Sequence, residues 1–338
     1  MRHRNYHEVE GSNPAECGRQ LGRLFGPIVR DYIEYGRNTC DWAQYRRDAD
    51  DLLSVTARYF PNYIEELEAY AAAAGVSLLD LWTMSIEDEL GDDDSEKCTT
   101  VITNGGRLIA HNEDWDADSS DDICILKKRC GDVTTLELYY YGSPLGGTAL
   151  SICSRGYAQA INSLSHADWQ EGVPKIVMGR RISELQDTGP ELAKLLTIPR
   201  SSGFAHSLVD RDGRVTFLES TAKHHVLQQP QMPFVHTNHI VNPKLAKFEG
   251  DHDGKSTFRR YDAACGLVCG EMGETSMMRL MSDDSGGKNA GILNRKTIAR
   301  AIVDLDRRVA KIWLKREQQK GWIDYPIDFF FADHMPSV

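Results

Sequence analysis

The sequence predicts an α+β protein in which two stacked sheets of antiparallel strands are covered by helices. Three observations predict it. The first ninety residues carry helical periodicity. Short β-type runs separated by turn signals follow from Cys98 onward. A helical interval over 176–196 then divides those runs into two groups. Helices before, between and after two strand groups suggest sheets layered under helices. The 338 residues suit one large domain, or one domain with a helical appendage. With 41% hydrophobic and 26% charged residues, the composition is that of an ordinary globular chain.

The elements follow in order. Asn13 can cap a helix, Pro14 suits its first position, and Glu16 stands where a capping-box acid belongs. Leu21, Leu24, Phe25, Ile28, Val29, Tyr32 and Ile33 continue it as a helical stripe, and Pro27 predicts a kink or break. A second helix is expected over 48–59, a third from Pro61 to the stop at Gly75, and a fourth over 78–90. Runs over 99–103 and 107–111 flank Asn104-Gly105-Gly106, a hairpin signal. Further runs cover 123–127, 134–141, 148–154 and 157–162. After the helical interval come 204–209, 215–219, 225–228 and 234–237, with Asp212-Gly213 as a turn. Helices return over 257–268 and 275–281, and 298–303 and 309–313 close the pattern. There is no internal repeat and no low-complexity linker.

A net charge of −11 argues against a general nucleic-acid binder, which normally shows a basic face. Acid runs such as Asp92-Asp93-Asp94 and Asp121-Asp122 read as solvated loops. No stretch approaches the roughly twenty apolar residues of a membrane helix. The start, MRHRNYHEVEG, lacks a signal-peptide core. The expectation is a cytoplasmic protein with no membrane partner. The eight Cys are irregularly spaced, and most read as buried free thiols. Cys265 and Cys269 are half a metal pattern without a second half. His236 and His239, with His224 and His225 upstream, invite a metal. On a regular strand, however, residues three apart face opposite sides, so pocket or structural roles are expected. No metal and no other cofactor is expected. The run 137–141 reads as a strand packed on both faces. Phe329-Phe330-Phe331 reads as a packing anchor, with a contact in a homo-oligomer as the alternative.

The chemistry centres on Cys98. A free thiol, with pKa ~8.5, is only a few per cent thiolate at neutral pH and needs a base. No papain-like or caspase-like signature surrounds it. One solution makes the Cys N-terminal, so that its own α-amine, with pKa roughly 8 or below, is the base. That requires cleavage between Lys97 and Cys98 and a carboxylate to orient the amine. The returning hairpin strand brings Asp114, sixteen residues on, back toward the Cys. The alternative is an inert buried strand thiol.

Three ordered blocks carry a resemblance. Cys98-Thr99-Thr100 is followed by Gly106-Arg107-Leu108 and Asn112-Glu113-Asp114-Trp115. Then come GYAQAINSL, from Gly156 to Leu164, and VHTNHIV, from Val235 to Val241. Together with EVEGSNPAECGRQLG near the start, these resemble the isopenicillin N acyltransferase-like (acyl-coenzyme A:6-aminopenicillanic acid acyltransferase) family of autoproteolytic N-terminal-nucleophile Cys hydrolases. The resemblance runs from about Glu8 to about Val309. It implies the Ntn-hydrolase αββα sandwich with an N-terminal helical segment. Residues 1–97 would be a helical pro-segment and 98–338 the catalytic domain. It implies Cys98 as nucleophile, freed by cleavage after Lys97, and Asp114 as the acid that holds the new amine, with Asp116 a competing assignment. Asn238 would be the side-chain donor of the oxyanion hole. Thr100 would assist cleavage and Asn162 would bound the pocket.

Two departures stand out. The family usually has Gly before the nucleophile, and this chain has Lys97, which puts efficient cleavage in doubt. Some members carry a functional Arg near the C-terminus, where the local frame here offers Asn294 or Arg295. The expected function is amide hydrolysis or acyl transfer through a thioester, on a small N-acyl amine or amino-acid conjugate. A catalytically silent, unprocessed scaffold is the other reading. Nothing signals a coenzyme A site, and the acidic balance suits a cationic amine product.

Overall fold

The computed structural model describes residues 2–91, 98–116, 118–250 and 255–332. Lys97, and with it the expected cleavage junction, lies outside the described residues, as does the acidic run 92–94.

The N-terminal segment is not helical throughout. Strand β1 (Tyr6–Gly11) precedes helix α1 (Pro14–Thr39). The strand lies parallel at the edge of a sheet and buries Val9 there. The Asn13 side chain accepts from the Glu16 N–H at 2.9 Å, and the Glu16 carboxylate accepts from the Ser12 N–H at 2.8 Å. Helix α1 runs through Pro27 without the break that was one of the two expected outcomes. Its Gly18, Gly22 and Gly26 lie against helix α3 (Pro61–Ala74). An added Cβ would stand 2.0 Å from the Glu66 carbonyl oxygen and 2.3 Å from that of Tyr70. This close helix–helix contact outweighs the one backbone hydrogen bond a proline removes. Helix α2 (Trp42–Tyr59) starts six residues before the expected 48, under an Asp41 cap. The expected fourth helix breaks at Ile86 into α4 (Leu78–Ser85) and α5 (Glu87–Leu90).

The remaining strands are β2 (Thr99–Thr103), β3 (Leu108–Asp114), β4 (Ile123–Cys130), β5 (Val133–Tyr140), β6 (Ser151–Cys153) and β7 (Tyr157–Ser163). After α6 (Lys175–Ser183) and α7 (Pro190–Leu195) come β8 (Phe204–Asp210), β9 (Val215–Ser220), β10 (His225–Gln228) and β11 (Phe234–His236). Helices α8 (Ser256–Leu267) and α9 (Glu274–Leu280) follow, then β12 (Thr297–Asp304), β13 (Val309–Leu314) and β14 (Ile323–Pro326). The last helix is α10 (Asp328–Phe331). One sheet has the order β1-β4-β5-β6-β7-β8-β9-β10 and the other β11-β2-β3-β12-β13-β14. The two strand groups read from the sequence therefore do not correspond to the two sheets. Strands β8–β10 extend the first sheet, while β2–β3 join the last strands of the chain in the second.

The layers are helix, sheet, sheet, helix. Along β4, Ile123 and Ile125 point between the sheets, while Cys124 and Leu126 pack under Phe25, Leu67 and Tyr70 of α1 and α3. The outer face of the second sheet, with Val101, Leu108 and Ala110, is covered by Ala264, Met277 and Leu280 of α8 and α9. The β2–β3 turn holds Asn104, Gly105 and Gly106 at φ 54°, 57° and 90°. Gly106 is needed twice over, because a Cβ there would stand 1.8 Å from the Gly213 carbonyl oxygen of the β8–β9 turn. Phe330 is buried between the sheets, a packing anchor. Cys265 and Cys269, by contrast, are exposed rather than buried. No described helix is long and apolar enough to cross a membrane.

Candidate active site

Cys98 stands at the threshold of β2, and strand pairing decides what surrounds it. Thr99 pairs with Asn112 and Thr100 with His111, so the register runs on to set Cys98 across from Glu113. Asp114 is one step further along β3. Alternation then sorts the side chains onto two faces. Thr99, Asn112 and Asp114 face the α8–α9 layer, and Cys98, Thr100, His111 and Glu113 face the space between the sheets.

On the outer face, Arg260 of α8 is the hub. It is wholly buried. Its Nη1 donates to the Cys98 carbonyl oxygen at 2.6 Å and to Thr99 Oγ1 at 2.8 Å, and its Nη2 donates to Asn238 Oδ1 at 2.7 Å. Burial lowers the pKa of this guanidinium, and Asp114 and Cys98 oppose that shift. A guanidinium only donates, so Arg260 fixes which way the Asn238 amide is turned. The Asn238 NH₂ faces away and donates one hydrogen to the Ser163 carbonyl at 3.0 Å, while its backbone N–H donates to Thr257 Oγ1 at 2.9 Å. Sequence reasoning did not reach Arg260. The available signal was an arginine in line with Ser256, Thr257 and Ala264, the buried stripe of α8.

Asp114 is fully buried. Its Oδ2 accepts from Asn294 Nδ2 at 2.7 Å, which places Asn294, not Arg295, at the site. Its Oδ1 has no hydrogen-bond partner among the described residues. Burial pushes its pKa up to about 6, against the pull of Arg260 and hydrogen bonds from Thr297 and Asn294. Asp116 is a different kind of group. Its carboxylate is 61% exposed and lies 3.5 Å from Lys296 Nζ.

On the inner face, Thr100 Oγ1 donates to Asn162 Oδ1 at 2.8 Å and lies 2.9 Å from His111 Nδ1. His111 Nε2 is 2.7 Å from Glu113 Oε2, and the Tyr140 hydroxyl donates to Glu113 Oε1 at 2.8 Å. Donor atoms of Cys98, His111 and Glu113 lie within 4.8 Å of one another. His111 Nε2 faces Glu113 and Nδ1 faces Thr100 Oγ1, so the trio reads as thiol, imidazole and orienting carboxylate. His236 and His239 do not face opposite sides. Strand β11 ends at His236, the chain turns, and the two rings stack at 6.5 Å. His239 bonds Thr257, and His236 lies 3.4 Å from Glu219.

Two clefts adjoin these groups. One, of about 770 Å³, is lined by Asp48, Asp51, Asp88, Glu89 and Asp168 and reaches Leu164 and Ser165 beside the Asn238 contact. The other, of about 290 Å³, is lined by Met84, Trp115, Tyr140, Ile176 and Phe204 together with the acids Glu87, Asp88 and Asp122. Asp88 lines both.

A sequence profile of the family described as acyl-coenzyme A:6-aminopenicillanic acid acyl-transferase matches residues 101–319. Among solved structures, the chain is similar to penicillin V acylase from Agrobacterium tumefaciens, with 12% identity over 65% of this chain and 83% of that one and a TM-score of 0.42. It is also similar to a mutant of conjugated bile acid hydrolase from Clostridium perfringens, with 11% identity over 69% of this chain and 92% of that one and a TM-score of 0.42. No curated protein sequence matches the chain.

Proposed function

The chain belongs to the acyl-coenzyme A:6-aminopenicillanic acid acyl-transferase family, an enzyme of the N-terminal-nucleophile amidohydrolase and acyltransferase class, and from that premise we propose that Cys98 is its nucleophile after self-cleavage. In maturation, the Cys98 thiol attacks the Lys97 carbonyl carbon, the C–N bond breaks, and water resolves the resulting thioester. The α-amine of Cys98 is thereby released. The observation that carries this reading is the Asp114 Oδ1, a wholly buried carboxylate oxygen with no hydrogen-bond partner among the described residues, near the start of β2. An ammonium on Cys98 would supply the missing donor.

In turnover, the α-amine takes the thiol proton, Sγ attacks the substrate acyl carbon, and the proton passes to the leaving amine. The second hydrogen of Asn238 Nδ2 serves the oxyanion, in the orientation that Arg260 sets. Losing such a donor costs roughly 10²–10³ in rate. Thr100 and Asn162 support the thiol side of the site and Asp114 the amine side. The substrate is a small N-acyl amine or amino-acid conjugate. The aromatic and aliphatic wall of the smaller cleft, with Trp115, Tyr140 and Phe204, suits its acyl group, and the larger cleft, with Asp48, Asp51, Glu89 and Asp168, suits a cationic amine. Water as acceptor makes a hydrolase, and a second amine makes an acyltransferase.

Intact mass under denaturing conditions tests the reading, on wild type beside Cys98→Ala. Two pieces meeting at Lys97/Cys98 in wild type only, with turnover of an N-acyl amine panel, is the expected result. One chain in both, with no thiol-sensitive turnover, would sink it in favour of a silent scaffold of the same fold.

A further inference from the structure

The inner face of β3 holds groups that an N-terminal Cys mechanism does not use. A chain of side chains runs from Tyr140 on β5 through Glu113 and His111 on β3 and Thr100 on β2 to Asn162 on β7, and so ties the two sheets together. Tyr140 and Asn162 stand in one sheet, Glu113, His111 and Thr100 in the other. All but Tyr140 are almost wholly excluded from water, and Cys98 is 2% exposed beside them.

Counting hydrogens gives this chain a direction. Glu113 accepts from the Tyr140 hydroxyl, and its other oxygen faces His111 Nε2, so Nε2 carries a hydrogen. Thr100 has one hydroxyl hydrogen, and with Asn162 turned as it is, that hydrogen goes to Asn162 Oδ1. Thr100 Oγ1 is then an acceptor toward His111 Nδ1. The arrangement is satisfied when both ring nitrogens carry hydrogen, which is the imidazolium. A buried imidazolium backed by a carboxylate and set beside a thiol is an arrangement that stabilises a thiolate.

We propose that His111, aligned by Glu113, takes the Cys98 thiol proton, so that the thiol is activated from the inner face independently of any α-amine. This rests on Cys98 being the nucleophile. The S–H bond breaks with its electron pair left on sulfur, and an N–H bond forms at Nδ1. The Thr100 hydroxyl hydrogen stays on Asn162 Oδ1, and Nδ1, once protonated, donates to Thr100 Oγ1. No other reactant is required. The group meets a need of maturation, because the attack on the Lys97–Cys98 bond precedes any free amine. Among the described residues, the charged groups around the thiol are Glu113 and His111 on β3 and Arg260 on α8, whose positive charge favours thiolate, with Asp114 beyond it. Tyr140 disperses the Glu113 charge and so limits its repulsion of the thiolate.

The test reads thiolate directly, as ultraviolet difference absorbance between wild type and Cys98→Ser across pH, with no need for a reagent to reach a buried sulfur. Wild type is expected to hold at least tenfold more thiolate at pH 7 than the few per cent of an unactivated thiol. His111→Gln should return to a few per cent, and Glu113→Gln should fall between the two. If the His111 variant fails to fold, the His111 ring resonance in wild type and Cys98→Ser serves instead, and its titration should move only when the thiol is present. A few per cent thiolate in wild type, an unchanged His111→Gln, or a ring titration blind to Cys98 would each overturn the proposal. Intact mass and substrate turnover on the same samples separate its failure from that of the acyl-transfer reading, since a thiolate without turnover leaves the proposal standing.

Discussion

Asp114 offers a prediction that needs no substrate. In the uncleaved chain its pKa is pushed from 3.8 up to about 6 by burial. A raised acid pKa means that the folded state holds the proton more tightly than the unfolded one. Well below pH 3.8 both states are protonated and nothing is lost. As pH rises to about 6, the unfolded chain gives up its proton freely while the folded chain must ionise a buried carboxyl. The shift is about 2 units, worth about 1.4 kcal/mol each, so stability falls by about 3 kcal/mol across that window. The assay is urea unfolding at pH 4, 5, 6 and 7 and fixed ionic strength, with Cys98→Ala holding the chain intact, against the same chain carrying Asp114→Asn. The difference in unfolding free energy between the two should widen by about 3 kcal/mol as pH rises, because every other titrating group cancels. In cleaved wild type, a neighbouring ammonium would hold the carboxylate ionised, and the fall should shrink or vanish. Parallel curves for the two uncleaved variants, agreeing within ~0.5 kcal/mol across the range, would refute the account of Asp114 as a desolvated acid awaiting a cation.

Arg260→Lys should destabilise the protein by about 3 kcal/mol in urea unfolding and abolish self-cleavage. One ammonium cannot serve the Cys98 carbonyl, Thr99 and Asn238 that the guanidinium fork holds at 2.6–2.8 Å. Gly22→Ala should cost ~1–3 kcal/mol or prevent folding, since its Cβ would stand 2.3 Å from the Tyr70 carbonyl oxygen and overpack the contact. Gly75→Ala meets no atom within 4 Å and bears only the strain of φ 74°, so thermal unfolding should move less. After cleavage at Lys97, size-exclusion chromatography should show both pieces eluting as one. The 1–97 piece keeps β1 in the sheet and the buried Glu66–Lys128 ion pair at 2.7 Å across the two pieces.

The parts of the fold legible in the sequence are those fixed by local chemistry. The Asn13 cap, the Pro61 start, the Gly75 stop and the Asn104-Gly105-Gly106 turn each act within a few residues, and each is where its residues place it. What escaped was decided at long range. Pro27 stays inside a helix because three glycines on α1 meet α3. Strand β1 exists because β4, more than a hundred residues later, supplies its hydrogen bonds. Sheet membership depends on which strands β2 and β3 meet, and the hairpin signal cannot say. At the candidate site, Cys98, Asp114 and Asn238 were marked by their motifs. Arg260 had no motif, Glu113 lay unread inside one, and His111 stood just ahead of it.

The placement of Arg260 and His111 on opposite faces of the hairpin follows from the period of a strand. A strand start is where a backbone N and a side chain of one residue meet two environments, because the neighbours at 99 and 114 point one way and those at 100, 111 and 113 the other. The face toward α8 is equipped for the nitrogen of Cys98. It has a carboxylate oxygen unpaired among the described residues, a cation that fixes the adjacent carbonyl, and an amide held in a set orientation. The face between the sheets is equipped for the sulfur, with an imidazole and its carboxylate. A single-residue slip of β2 against β3 would exchange the two environments and give the thiol to Arg260 and Asp114. The register therefore has to be held firmly. The interlocked Gly106 and Gly213 turns at one end and the Arg260 fork at the other hold it from both sides.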